Sequence, residues 1–480
     1  MKKFIVIFLL FNSGIAYCQS GLGYILEELP SDSIIYNTIQ THSSIIPKAW
    51  QAYNPLKDEL ISKVKEKFSL GISPLIDLQA DYRENVNYRI GTGLQVTSEL
   101  GDKWFIRTSY LQGLLNYDSL FLPRTYFNKD FTKFNTYGDW RGRISFTPNK
   151  IFNFQIGIDQ NFIGEGCRSM FLSDYGRPYP FGMIRSRFWR LEYDVIYQFF
   201  REQFGEGWKQ KNGATHYISF NATNWLNIGV FETVVFQPKD TLLNRGYEVE
   251  YLNPVIFYRP QEYALGSSDN VLLGLSLHAK YRRHSFYTQF ILDEFFLTEI
   301  KAKSGWWANK FGFQAGLKGS FKVMNSNSFY RIELNSARPY TYAHLSSDQN
   351  YGNQGMTLSH PYGGNFAELL GEFKFQKSNW LFKIFLNYTL RGFDKGGYSY
   401  GGDIYKPYTL RPFEYGHQIG QGRGSNSFFI IITAGYIPFK KSNIQCYAEF
   451  QMRYNTILNH SQFIPVIGIR SQLWNDYRNF

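Results

Sequence analysis

One property dominates the chain from residue 69 to residue 480: side chains alternate, apolar on one parity and Gly, Gln, Lys or Asp on the other. Within 86–97, Val86, Tyr88, Ile90, Thr92, Leu94 and Val96 share one face, and Asn87, Arg89, Gly91, Gly93, Gln95 and Thr97 share the opposite one. The stretch from Phe311 to Val323 repeats the pattern, with Phe311, Phe313, Ala315, Leu317, Phe321 and Val323 set against Gly312, Gln314, Gly316, Lys318, Ser320 and Lys322. Period two is the period of a strand. One face suits lipid and the other water, and a sheet that leaves no open edge in a bilayer is a closed barrel.

Composition favours a membrane barrel over its competitors. Aromatic residues make up 19% of the 480, with 36 Tyr and 44 Phe. That is too many for the core of a soluble sandwich or propeller, but it suits two aromatic girdles where lipid meets water. Mean hydropathy is nonetheless negative, at -0.33, because a barrel hides its hydrophobicity in every second residue. After the leader no stretch approaches ~20 continuous apolar residues, which excludes helical spans. Nothing in the composition divides 69–480, so one all-β unit is expected there.

Residues 1–18 read as a secretory leader: Lys2 and Lys3, an apolar run from Phe4 to Leu10, and a cut after Cys18 with Ala16 and Cys18 as the small residues. Residues 19–68 read as a periplasmic segment with a short helix over 54–67. Asn54 is its cap, Pro55 its first residue, and Leu56, Leu60, Ile61, Val64 and Phe68 its apolar stripe. Such a helix is expected to plug the periplasmic mouth or to serve as a linker. The remaining cysteines, Cys167 and Cys446, are expected to be free thiols.

Strands are expected at 70–82, 86–97, 104–113, 140–147, 151–162, 185–199, 215–223, 226–236, 271–281, 284–295, 311–323, 329–335, 366–376, 379–391, 427–437, 443–455 and 463–473. That set and the preference of bacterial barrels for even numbers give a transmembrane antiparallel β-barrel of about 16–18 strands. Residues 147–150, 224–225 and 377–378 read as tight periplasmic turns. The stretches 114–139, 163–184, 237–270 and 392–426 read as surface loops, the last interleaving Gly with Tyr398, Tyr400, Tyr405, Tyr408 and Tyr415. The closing Phe480 is a terminal aromatic of the kind that assists barrel assembly, although the alternation before it fails.

Two stretches break the alternation. The first runs from Phe162 to Asp174 and contains Gly164-Glu165-Gly166-Cys167-Arg168-Ser169, then Leu172-Ser173, with Pro178 and Pro180 beyond. The second runs Asn253-Pro254-Val255-Ile256-Phe257-Tyr258-Arg259-Pro260-Gln261-Glu262, with Asp269-Asn270 after it. Together they resemble the capsule assembly family typified by Wzi, and within it the Bacteroidetes branch that includes the gliding-motility protein RemB. The resemblance implies an outer-membrane barrel of about 18 strands with inward-folded surface loops and no catalytic activity. In Wzi-type members the surface anchors capsular polysaccharide; in RemB-type members the role is linked to movement. Glu165 and Cys167 depart from the family's Gly-rich turn.

Gly164 and Gly166 permit a tight backbone turn, after which Arg168 can point into the lumen and pair with carboxylates there. Arg177, Arg259, Glu262 and Asp269 are expected to form a charged network lining the barrel or its mouth. With Tyr398, Tyr400 and Tyr405 these residues are the candidate polysaccharide contacts, acting by ring stacking and charge-assisted hydrogen bonds. The competing reading is that the charged residues fix inward loops through buried ion pairs.

The formal charge of +12 favours acidic glycans or lipopolysaccharide phosphates as partners. The eight His include His360 and His417 in Gly/Tyr-rich loops, but no nucleophile elbow, metal-ligand cluster or cofactor pattern accompanies them. The expectation is therefore a plugged, non-enzymatic barrel of the bacterial outer membrane. It would bind or organise surface or capsular polysaccharide, with outer-membrane lipid, lipopolysaccharide and motility or secretion machinery as further partners and no nucleic acid. A gliding-motility role and a porin or substrate-specific channel are the alternatives.

Overall fold

A computed structural model describes residues 42, 61–65, 67–83, 85–116, 136–204, 207–239, 246–255, 269–324, 326–438, 444–457, 459–471 and 477. The expected leader and Phe480 lie outside the described residues, as does all of 19–60 except His42.

The strands in chain order are β1 (Ile61–Lys65), β2 (Phe68–Tyr82), β3 (Val86–Leu100), β4 (Trp104–Leu115), β5 (Thr136–Phe146), β6 (Phe152–Asp159) and β7 (Tyr179–Phe188). They continue with β8 (Leu191–Phe204), β9 (Gly207–Asn221), β10 (Leu226–Phe236), β11 (Asn270–Tyr281), β12 (His284–Glu294), β13 (Lys310–Val323) and β14 (Ser326–Ala337). The last are β15 (Gly352–Asn353), β16 (Met356–Thr357), β17 (Phe366–Lys377), β18 (Trp380–Phe393), β19 (Arg423–Tyr436), β20 (Ile444–Asn455) and β21 (His460–Ser471). Each wall strand pairs antiparallel with the next, and β21 returns to β2 through Val466–Arg470 against Asp81–Asp77, closing an 18-stranded barrel. The tiny hairpin β15–β16 forms a two-stranded sheet of its own.

The alternation sets which face is which. In β2 the polar Ser69, Ser73, Asp77, Gln79 and Asp81 are buried toward the lumen, while in β6 and β21 Ile156 and Ile467 are 61% and 65% exposed toward lipid. Trp104, Trp189, Trp225 and Trp380 stand exposed beside the short turns, and Tyr88, Tyr110, Trp140 and Tyr388 near the opposite rim, forming the two girdles of a membrane barrel. The connections 101–103, 147–151, 189–190, 222–225, 282–283 and 378–379, all short, share one end, and the long 116–135, 160–178, 237–269, 338–365 and 394–422 lie at the other with the short 83–85, 205–206 and 456–459. By the architecture of such barrels the short-turn end is periplasmic. Lumen-facing Gly residues also receive neighbouring rings: a Cβ on Gly316 would lie 2.1 Å from Tyr287, and one on Gly229 would lie 2.3 Å from the Tyr217 hydroxyl.

The structure departs from the sequence pattern at 185–199 and at 61–65. The single strand expected over 185–199 is the hairpin β7–β8, turning at Trp189 with φ 53°. The turn contains no Gly, Pro, Asn or Asp. The lumen-facing residues beside it are charged and paired across the hairpin, Arg185 with Asp194 and Arg187 with Glu192, and only farther along the strands do Phe181, Met183, Ile196 and Phe200 turn the lumen face apolar by packing on an inward loop. The helix expected over 54–67 does not extend through 61–65, which is β1, paired with Phe68–Ile72. The edge of β2 presents N–H and C=O groups that need partners, and pairing outweighs the helical spacing. The rest of that helix lies outside the described residues.

The seam follows from this arrangement. β1 covers residues 68–72 of the β2 edge and β21 covers 77–81, leaving a gap at Pro74. Proline has no N–H to lose there. The Ser471 hydroxyl bridges the gap, donating to the Pro74 carbonyl at 3.2 Å and accepting from the Ile76 N–H at 3.0 Å.

Candidate functional site

The loop 160–178 leaves β6 at the extracellular end and turns into the lumen instead of outward. Gly164 takes φ 146°, and a Cβ there would lie 2.5 Å from Gln289. Gln289, on β12, accepts from the Met170 N–H at 2.7 Å and donates to the Ile163 carbonyl at 2.9 Å. Glu333, on β14, accepts the backbone N–H groups of Cys167 and Arg168 at 2.7 and 3.1 Å and the Tyr287 hydroxyl at 2.7 Å. A Cβ on Gly166 would lie 2.5 Å from Glu333, so the two glycines let the backbone close on its anchors. Glu165 pairs with Lys318 at 2.7 Å. Met170, Phe171 and Leu172 then meet Phe231, Leu272 and Ile291 in an apolar core inside the barrel.

Arg168 reaches Glu368, on β17, at 3.5 Å, and both side chains are buried. Glu368 also contacts His360 Nε2 at 2.8 Å and accepts from Asn335 at 2.9 Å. Burial holds the His360 imidazole below its ordinary value, and its Nδ1 accepts the Tyr362 N–H at 3.2 Å. The single ring proton therefore sits on Nε2 and is donated to Glu368. Tyr477, beyond the last strand, lies in the lumen with its ring 4.9 Å from the Arg168 guanidinium and its hydroxyl donated to Asp174. His42 contacts Ser219 and Asn221 at 2.9 and 3.3 Å, inside the periplasmic half.

A second inward loop, 338–365, was not anticipated as a functional element. Its only sequence signal is the interval of about thirty residues between the strands expected at 329–335 and 366–376, rich in Tyr, Asn, Gly and His. Between its Gly355–Gly363 portion and residues 391–406 lies a cavity of about 710 Å³. Tyr175, Tyr362, Phe393 and Tyr405 give it ring faces, and Arg391, Lys406, Asp394 and Asp403 give it charge. The Arg391 guanidinium sits 4.4 Å over the Tyr362 ring, and Lys406 pairs with Asp394 at 2.5 Å. Burial, then the Glu368 charge, pushes the Tyr362 hydroxyl up to about 12, so it remains a donor. Phe393 is 37% exposed, leaving a ring face open to a ligand. The volume lies within the range of about 300–1,000 Å³ usual for ligand pockets.

The expected contact residues do not converge. Arg168 is a luminal strut. Arg177 is half-buried, donates to Gln354 at 3.5 Å and lines a different cavity. Asp269 accepts the Tyr251 hydroxyl at 2.8 Å, in a cluster packed on the outward parity of the wall with Ala214, Val234 and Val271. Tyr193 and Tyr197, also outward, donate to the carbonyls of Pro254 and Leu252 at 2.5 and 2.9 Å. The described segment 246–255 thus packs on the outside of β8–β11, and Asp269 lies with it on that side while Arg177 lines the 410 Å³ cavity. Arg259 and Glu262 lie outside the described residues.

Of the three tyrosines, Tyr405 lines the 710 Å³ cavity and donates to Glu202 at 2.8 Å. Tyr400 stacks edge-on with Phe413, and Tyr398 is 52% exposed; neither lines the cavity. His417 contacts Gln421 at 3.1 Å and the Phe413 carbonyl at 2.8 Å, so both ring nitrogens hold the outer loop together. Cys167 and Cys446 are free thiols.

This geometry defines an outer-membrane β-barrel whose lumen is crossed by two of its own surface loops. Among solved structures, the chain is similar to Wzi of Escherichia coli, described as a carbohydrate-binding β-barrel involved in group 1 capsule assembly. The identity is 12%, with 83% of each chain covered and a TM-score of 0.56. Similarity extends to OprD of Pseudomonas aeruginosa, at 10% identity over 84% of this chain and 95% of that one with a TM-score of 0.45. It also includes OccAB2 of Acinetobacter baumannii, at 9% identity over 84% and 97% with a TM-score of 0.47. No protein-family model matches the chain, and no curated protein matches it by sequence. At these identities the likeness speaks for the fold.

Proposed function

We propose that this barrel binds surface polysaccharide at the 710 Å³ cavity of its extracellular mouth, with no catalytic step. The observation that carries the reading is the composition of that cavity: an aromatic lining with the Phe393 ring face open to a sugar, and Arg391, Lys406, Asp394 and Asp403 for hydroxyls and acidic groups. Wzi, similar in fold, is described as binding carbohydrate, which agrees with this choice of ligand. The loops 160–178 and 338–365 form a packed core across the lumen, which favours a binding surface over a diffusion channel.

A deletion strain, complemented with wild type or with Tyr362→Ala/Arg391→Ala, tests the reading. Polysaccharide released into the medium by the deletion and by the double variant, but retained by wild type, is the expected result. Retained polysaccharide with impaired spreading on agar would move the protein to the motility role suggested by the resemblance to the RemB branch.

A further inference from the structure

Two neighbouring strands stop short of the extracellular rim. β5 and β6 are last paired at Gly142 and Ile158, and β7 and β8 at Phe181 and Gln198. Yet β5 continues outward to Thr136 and β8 to Phe204. The chain that would have carried β6 and β7 to the same height, 160–178, has turned into the lumen. Three strand spacings separate β5 from β8, so the wall carries a lateral notch about 14 Å wide.

The hairpin β15–β16 meets the free edge of β8 from inside. The Arg201 N–H donates to Asn353 at 3.2 Å, and the Gln354 N–H donates to the Arg201 carbonyl at 2.9 Å. Gln354 adopts φ 52° at this contact.

A cavity of about 410 Å³ occupies the notch. Its lip is Tyr110 and Trp140, 51% and 58% exposed on the lipid-facing parity near the extracellular girdle. Its cations are Arg177 and Arg201. The one carboxylate among its described lining residues, Asp139, is held by Arg141 through contacts of 2.8 and 2.6 Å. The buried Nε of Arg177 makes no hydrogen bond. Burial, then the neighbouring Arg201 charge, holds the Arg177 guanidinium below its ordinary value. Two cations without a carboxylate partner among the described residues, facing a gap in a lipid-embedded wall, call for an anion that arrives from the bilayer.

We propose that the notch is a lateral docking site for the phosphorylated headgroup of an outer-leaflet lipid, with the phosphate on Arg177 and Arg201 and the acyl chains leaving past Tyr110 and Trp140. This site is separate from the 710 Å³ cavity, and its occupancy does not depend on polysaccharide binding. A soluble anion would need only the two cations. The opening on the lipid-facing side is what selects a membrane lipid.

The test is retention of lipid A by the purified full-length barrel in detergent, read by native mass spectrometry with bisphosphorylated and fully dephosphorylated lipid A as competing probes. Wild type is expected to prefer the phosphorylated form by about tenfold or more. Arg201→Gln should reduce that preference and Arg177→Gln/Arg201→Gln should abolish it. Arg201 is exposed, so its replacement leaves the luminal packing alone, and unchanged heat-modifiable migration on a gel verifies the fold. Equal retention of the two lipids by wild type, or a preference untouched in both variants, overturns the proposal. Binding of glucuronate or inorganic phosphate as tight as that of phosphorylated lipid A would overturn the choice of a lipid in favour of a soluble anion.

Discussion

Arg168 and Glu368 meet at 3.5 Å in the middle of the barrel, one on an inward loop and the other on β17, and neither side chain is exposed. Removing one partner of a buried pair strands the other charge. Arg168→Met should therefore cost about 3–5 kcal/mol. Arg168→Met/Glu368→Gln should recover much of that loss, since no unpaired carboxylate remains. Denaturant midpoints of the refolded barrel measure both.

The inward course of 160–178 has a direct electrical consequence. Asp159 and Tyr179 are already paired, so a two-residue Asn-Gly turn can replace the loop without moving the wall. Wild type should give no lasting current in planar bilayers, and the shortened barrel should conduct. Robust current from wild type would show that the two loops do not seal the lumen.

At the seam, Ser471→Ala leaves the Ile76 N–H and the Pro74 carbonyl without their shared hydroxyl. We expect a loss of roughly 1 kcal/mol, the scale of a partly buried hydrogen bond, visible as a lowered unfolding midpoint with the membrane location unchanged.

Acid should loosen the outer loops. Burial, then the Lys310 charge, pushes the His344 imidazole down to about 4 from its ordinary 6.5. Between those values the unfolded chain binds a proton that the folded loop does not. Stability from this group is thus full above 6.5, falls as pH drops toward 4, and levels off below it. His344→Gln should flatten that part of a melting-temperature profile taken from pH 7 to pH 4.

The sequence carried the wall far more legibly than the site. Period two reports which side of a strand meets lipid, and Val86–Val96 and Phe311–Val323 behave as their alternation requires because the bilayer enforces it at every step. Where Phe181, Met183 and Ile196 face an apolar loop inside the lumen the rule loses its contrast, and the β7–β8 turn is hidden because Trp189-Arg190 carries none of the residues that mark a turn. Arg168 was legible as a luminal ion-pair residue because two glycines precede it. The cavity residues Arg391, Tyr362 and Lys406 were not, since they converge from 338–365 and 391–406 only after both loops have folded. Tyr398 looked equivalent to Tyr405 in sequence, yet Tyr405 alone of the two lines the cavity.

The most direct test of the account is binding of the host cell's purified surface polysaccharide to the isolated barrel, measured by biolayer interferometry for wild type, Tyr362→Ala/Arg391→Ala and Tyr398→Ala. Loss of two cavity contacts should weaken binding by about tenfold or more, whereas Tyr398→Ala should bind as wild type does. No binding by wild type, or equal binding by the cavity variant, would contradict the assignment of the 710 Å³ cavity as the polysaccharide site.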